Sequence, residues 1–282
     1  MDARAHGGTG YEGVQMPLRD YHERFASTYD SFYADRDVLA DARYAAALLG
    51  LGAGPARRQT VLDIGCGCGS HVLAFASLGF DATGIDKSPA MIARATAKPV
   101  PAGAAKVRFV AEQFPQFCAA LNGHTFDGMV SIFQVFNCMG SPGEMLEHLR
   151  LVRDKLAIGG RFLIDLWNGA AVFAEDPRAG EARFPCVDDP SQEIVRTTTP
   201  HLDRINQRCT LYYRIATIER ATGTKFDAFE SLHEITFFTP LHYRHLFELA
   251  GLRVLDEFKR GCPGTAITER DWYISYLVDR AS

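Results

Sequence analysis

Between Asp63 and Asp86 the chain concentrates residues that could hold a ligand. The run Asp63-Ile-Gly65-Cys66-Gly67-Cys68-Gly69 follows a short β-branched stretch, Thr60 to Ile64, and precedes a helically spaced one from Val72 to Leu78, stopped by Gly79. Alternate glycines let the backbone turn tightly between strand and helix and lie bare against a ligand. The spacing is G-x-G-x-G. A dinucleotide fingerprint, G-x-G-x-x-G, needs its third glycine one residue later, where this chain has Ser70. An acid inside the turn, Asp63, would also repel a pyrophosphate seated on the helix N-terminus. Asp86 ends the following strand, where a carboxylate can accept both hydroxyls of a ribose. The ligand expected from these residues is a nucleoside without phosphates.

Proton chemistry has fewer candidates. Among nine histidines, His233 falls on a long β-type segment that would roof a pocket and is the candidate general base, with ordinary packing as the competing reading. His71, directly after the turn, occupies a helix N-terminus that favours a neutral imidazole, and either positions a cofactor or caps the helix. His242 and His245 share a helix face without a third ligand nearby in sequence and read as surface residues. Seven cysteines are odd in number and form no C-x-x-C, so neither a disulfide framework nor a zinc site fits, and Cys66 and Cys68 read as small loop fillers. No metal is expected. Tyr29 and Tyr33 belong to an N-terminal aromatic segment whose rings either face a cationic ligand or pack a helix onto the sheet.

These residues need elements to hold them. Leu18 to Leu49 reads as two helices joined near Ala34 to Asp37. Strands follow at Thr60 to Ile64, Phe80 to Ile85, Val107 to Ala111, Gly128 to Phe133 and Arg161 to Leu166. Ser88-Pro89 opens one intervening helix, and Ser141-Pro-Gly-Glu144 is a capping box for another that Gly159-Gly160 should end. Past Trp167 the rhythm changes: Asn206 to Glu219 and Phe226 to Phe238 predict an antiparallel hairpin, with Glu193 to Thr199 as a third strand. Thr239-Pro240 then caps a helix closed by Gly251, and Arg253 to Phe258 and Trp272 to Val278 supply two last strands. The fold class expected is α/β: a Rossmann-like doubly wound sheet, mostly parallel, with an antiparallel β insertion over 170–238 and an N-terminal helical lid over 18–50. Residues 1–17 should be flexible, and 51–282 form the ligand-binding domain.

Composition narrows the partners. A net charge of −4 and the absence of any long basic block argue against a grip on nucleic acid. Apolar runs stop short of a membrane span, and Met1 to Gly13 has no apolar signal core, so a cytoplasmic protein is expected.

The segment VLDIGCGCGSH at 61 to 71 resembles the S-adenosylmethionine (SAM) site of class I methyltransferases, a similarity running over nearly the whole chain. TYDSFYADR at 28 to 36 and LHEITFFTPLHYRHLFELAGLRV at 232 to 254 are similar to the small-molecule group that contains dTDP-amino-sugar N-methyltransferases, and DLWNGAAVF at 165 to 173 resembles their polysaccharide-cluster relatives. The resemblance implies SAM as cofactor, with Asp63, Gly65, Gly67 and Gly69 cradling its methionine half and Asp86 its ribose. It implies Glu112, where the family often has Asp, facing the adenine amine with Gln113 beside it, and Phe133 and Gln134 flanking the cofactor. Tyr21, Tyr29, Cys66, His71, Lys87 and Met91 complete the expected cofactor contacts, and Tyr33 and His233 are the expected catalytic residues. Asn137, Asp165, Trp167 and Asn168, at the carboxyl edge of the sheet, should meet the acceptor. For Asn137 a plain turn role competes. The expected activity is methyl transfer to an amine or hydroxyl of a small molecule, a sugar nucleotide or secondary metabolite. The alternatives are attack on another sulfonium carbon, a protein methyltransferase, or a SAM-binding interaction protein, and a homodimer is left open.

Overall fold

The computed structural model describes residues 18–19, 22–52 and 58–281; Tyr21 and the expected flexible stretch 1–17 lie outside the described residues. After β1 (Leu18–Arg19), α1 (Glu23–Tyr29) runs into a 3-10 turn (Asp30–Tyr33), and α2 (Val38–Leu48) follows after the expected joint. Its N-cap is Asp37, whose carboxylate accepts from Ala40 N–H. Then β2 (Thr60–Ile64), α3 (Ser70–Ser77), β3 (Asp81–Asp86), α4 (Pro89–Ala97), β4 (Val107–Ala111), α5 (Phe114–Ala120), β5 (Phe126–Ser131), α6 (Pro142–Lys155) and β6 (Leu156–Trp167) alternate. Ser88 caps α4 and Ser141 forms the capping box of α6, as their sequences predict. The helix α6 stops earlier than expected. Leu156 already has extended backbone, and Gly159 and Gly160 belong to β6, where a Cβ on Gly160 would lie 2.9 Å from the Asp127 carbonyl oxygen. Gly160 admits the close approach of β5 and Gly159 takes a positive φ in open space, and neither ends a helix.

The order β11-β12-β6-β5-β2-β3-β4 makes a seven-stranded sheet, with β11 (Leu252–Lys259) and β12 (Tyr273–Arg280) at one edge and β12 antiparallel to β6. Strand order reverses between β2 and β5, the switch point where such sheets open a crevice at their carboxyl ends. One face is covered by α5, α6 and α8 (Pro240–Ala250) over Leu62, Met129 and Phe162; the other by α2 and α3 over Val61 and Val130.

The insertion holds the three strands expected and one more. Behind a short α7 (Gly169–Ala174), strands β7 (Gly180–Pro185), β8 (Gln192–Asp203), β9 (Arg208–Glu219) and β10 (Lys225–Thr236) form an antiparallel sheet that β1 extends in parallel against β10. The registers Arg196↔Ile215↔Phe229 and Leu211↔His233 put these side chains on one face. That face meets the N-terminal segment: Phe25 of α1 is buried with Ile194, Ile215 and Phe229. Ionic contacts clamp the other side of the segment, with Asp30 taking Lys98 Nζ at 2.7 Å and Arg94 at 3.3 Å. The lid is thus fixed between the Rossmann half and the inserted sheet.

Candidate functional site

The glycine turn is held open by its own backbone. Gly65 and Cys66 both donate N–H to the Ile85 carbonyl at 2.9 Å, and Gly65, Gly67 and Gly69 all have positive φ. A Cβ at Gly65 would meet Val135 Cγ1 at 2.4 Å, and one at Gly67 would press on the Tyr29 ring at 3.1 Å. Asp86, at the end of β3, accepts Gly67 N–H and Ser88 N–H at 2.9 Å, one per carboxylate oxygen. Each oxygen keeps a lone pair for a further donor. Burial pushes this carboxyl above its usual range, and those two N–H groups pull it back.

A cavity of about 760 Å³ opens at the carboxyl ends of the strands. Its floor has Gly65, Gly67, Asp86, Lys87, Glu112, Gln113, Phe133 and Gln134; its side has Phe25, Tyr29 and Tyr33; its roof, with Trp167, has Arg196, Tyr213 and His233. A smaller cavity, about 60 Å³, lies behind the turn against Asp63, Cys66, Gly69 and His71, and shares Tyr29, Tyr33, Gly65 and Phe133 with the larger one. Asp63 is buried, and burial first, with the nearby Asp86 charge, lifts its carboxyl to about 6 against the opposing pull of His71. His71 Nε2 faces Asp41 Oδ2 at 3.5 Å, tying the start of α3 to α2.

Phe133 and Gln134 follow one another with φ of +61°, an uncommon conformation for side chains of their size. Asp165 holds it. Its carboxylate accepts from the Phe133 backbone and, at 2.7 Å, from Ser275 Oγ, and burial pushes its carboxyl up. Tyr33 stacks obliquely between Tyr29, with centroids 5.1 Å apart, and Phe133, at 4.9 Å. Burial drives its phenol above the ordinary value despite Arg196, the Tyr29 hydrogen bond, Arg36 and Arg260, so at neutral pH it offers a hydroxyl dipole and not a phenolate base. His233 is buried with Ser231 Oγ 3.0 Å from Nε2, between the rings of Phe25 at 4.8 Å and Tyr213 at 4.9 Å.

Four expected contacts fall elsewhere. Met91 is fully buried under α4, its Sδ 3.4 Å from Cys68 Sγ, because α4 turns that apolar face to the lid and away from the cavity. Asn137 donates to Thr236 O at 2.7 Å and Tyr243 Oη at 2.8 Å and accepts Trp167 N–H at 3.0 Å, so its amide knits β6, β10 and α8 and is spent. Asn168 caps α7 by accepting Ala170 N–H and donates to the Thr268 and Asp271 carbonyls. Asp165 acts on the cavity only through the Phe133 turn. Trp167 does line it. Sequence reasoning missed Phe25, on α1, and also Arg196 and Tyr213, whose signal was the alternation of β8 and β9 read in the correct register.

Residues 61–160 match a family model described as a methyltransferase domain. No curated protein matches the sequence. Among solved structures, a SAM-dependent methyltransferase from Clostridium acetobutylicum is 18% identical, with 92% of this chain and 98% of that one covered at a TM-score of 0.70. The sugar N-methyltransferase KedS8 from Streptoalloteichus is 22% identical over 100% of both chains, TM-score 0.66. CalS10, an amino pentose methyltransferase from Micromonospora echinaspora whose structure contains SAM, is 19% identical over 95% and 100%, TM-score 0.63. Residues 61–160 are thus similar to a methyltransferase domain, and the chain has the fold of solved SAM-dependent methyltransferases, as the resemblance of the 61–71 segment implied.

Proposed function

We propose that this protein is a SAM-dependent methyltransferase that modifies an amine or hydroxyl of a small molecule, with a sugar nucleotide or related metabolite as acceptor, in the cytoplasm. One observation carries the reading: a carboxylate, Asp86, and the bare backbone of Gly67 face a cavity that the N-terminal segment and the inserted sheet help to line. The residues present fit SAM. Asp86 has an acceptor lone pair per oxygen for the ribose hydroxyls, Asp63 can face an ammonium, and Glu112 and Gln113 line the floor where an adenine edge would lie. When bound, SAM supplies a methyl group on a sulfonium, transferred by in-line displacement.

The chain's own residues then align and exclude water. Tyr29, Tyr33 and Phe133 offer ring faces to a cation beside the turn. We infer that His233, which lines the roof, takes the acceptor's proton. The lid segment and inserted sheet that line the cavity support a small acceptor over a protein segment. The likeness in fold to KedS8, described as a sugar N-methyltransferase, and to CalS10, an amino pentose methyltransferase, supports the acceptor class. No helix among the described residues is long and apolar enough to cross a membrane. The test is incubation with SAM and a panel of amino-sugar and neutral-sugar nucleotides, reading S-adenosylhomocysteine (SAH) release and a mass gain of one methylene on the acceptor. SAH release without acceptor methylation, or transfer of the aminocarboxypropyl chain, would contradict it.

A further inference from the structure

Arg196 is the unusual residue of the roof. It projects from β8 on the face that carries Ile215, Phe229 and His233, and lines the large cavity. Its guanidinium lies against three aromatic rings: Phe32 of the lid at 4.9 Å, Tyr213 at 5.0 Å and Phe184 at 5.2 Å. Its Nε is buried without a hydrogen-bond partner, and no carboxylate stands within ion-pair distance among the described residues. Neighbouring arginines of the same sheet are matched: Arg183 meets Glu193 at 2.6 Å and Arg214 meets Glu230 at 3.1 Å.

A half-buried guanidinium held by ring faces leaves its in-plane donors unused, because cation–π contact engages the flat face and not the N–H edge. Those donors suit a planar or tetrahedral oxyanion, which a guanidinium fork can grip through two parallel bonds. Resting on the methyltransferase reading above, we propose that Arg196 is a specificity residue that binds an anionic group of the acceptor, a carboxylate or a phosphate. The cofactor's own carboxylate belongs at the other end. Asp63 and Arg36 line the small cavity behind the glycine turn, whereas Arg196 lines only the large one of the two, with Tyr213 and His233. The anion so held would orient the acceptor beneath the roof, with its reactive amine or hydroxyl near His233.

The experiment is calorimetric titration of the wild type and of Arg196→Met and Arg196→Lys, each with and without saturating SAH, using phenyl phosphate, benzoate and neutral benzyl alcohol as probes. SAH itself is titrated first. SAH binding within twofold across the three proteins, with at least one anionic probe bound tenfold or more tighter than benzyl alcohol by the wild type, is expected. That preference should vanish in Arg196→Met and survive in part in Arg196→Lys. Preference for phenyl phosphate assigns a phosphate, and preference for benzoate a carboxylate. Equal or absent binding of all probes by SAH-loaded wild type overturns the proposal, as does an undiminished preference in Arg196→Met. A tenfold loss of SAH affinity in Arg196→Met overturns it too, by making Arg196 a cofactor or lid residue. Failure of wild-type protein to bind SAH at all contradicts the methyltransferase reading itself.

Discussion

Asp63, near the end of β2 just before the turn, has its carboxyl held at about 6, a value set first by burial, against the pull of His71 and with the push of the Asp86 charge. In the unfolded chain such a group titrates near ~4, so between about 4 and 6 the folded state binds more protons and stability must fall as pH rises through that window, by at most ~3 kcal/mol. Thermal unfolding followed from pH 4.5 to 7 should show this slope in the wild type and a flatter one in Asp63→Asn. A cofactor ammonium beside the ionised carboxylate reverses the preference, so SAM affinity should rise with pH up to about 6 and then level. His233 makes a separate prediction. With a hydroxyl acceptor, His233→Ala should lower kcat by ~10²–10⁴-fold, the usual worth of a positioned base. With an amine that binds already neutral, the loss should be small. A near-normal kcat with the hydroxyl acceptor would assign His233 to packing between Phe25 and Tyr213.

At the scale of elements, the lid and the inserted sheet share one core, and Phe25 is its centre. Phe25→Ala should cost ~3–5 kcal/mol of stability, less whatever the lid recovers by collapsing, read as a shift of the denaturant midpoint. Hydrogen exchange over 22–35 should slow on SAM binding in the wild type, and a segment equally protected with and without the ligand would count against closure over the cofactor. The elements were legible in uneven measure. Thr60–Ile64, the helix begun at Ser88-Pro89 and the Ser141 capping box were readable because their signals are local. Helices α5 and α7 were not. Each is seven residues or fewer, too short for periodicity to separate from loop, and only tertiary packing of Phe114, Phe117 and Val172 makes them helices. Gly159-Gly160 misled for a related reason, since a glycine kept for close strand approach looks in sequence like one that ends a helix.

For the molecule as a whole, the sheet order and the floor of the cavity follow from βαβ units whose handedness and connections leave few choices. The glycine turn, Asp86 and the residues after β4 and β5 fell where the strand ends predict. The roof did not follow so simply. Which face of β8, β9 and β10 turns inward depends on register, and a slip of one residue would send Arg196 and His233 outward. Asn137, Asn168 and Met91 look like site residues in sequence because they flank it. Their polar or apolar groups are instead spent on holding β6, α7 and α4 in place. The central claim, that a nucleoside sulfonium cofactor sits on the glycine turn with its ribose on Asp86, is tested most directly by calorimetric titration of SAH and NAD into the wild type and Asp86→Ala. The account predicts SAH binding, no NAD binding, and a loss of about 1.5–3 kcal/mol of SAH binding energy for each charge-assisted hydrogen bond removed in Asp86→Ala. Unchanged SAH affinity in that variant, or tighter binding of NAD than of SAH by the wild type, would contradict it.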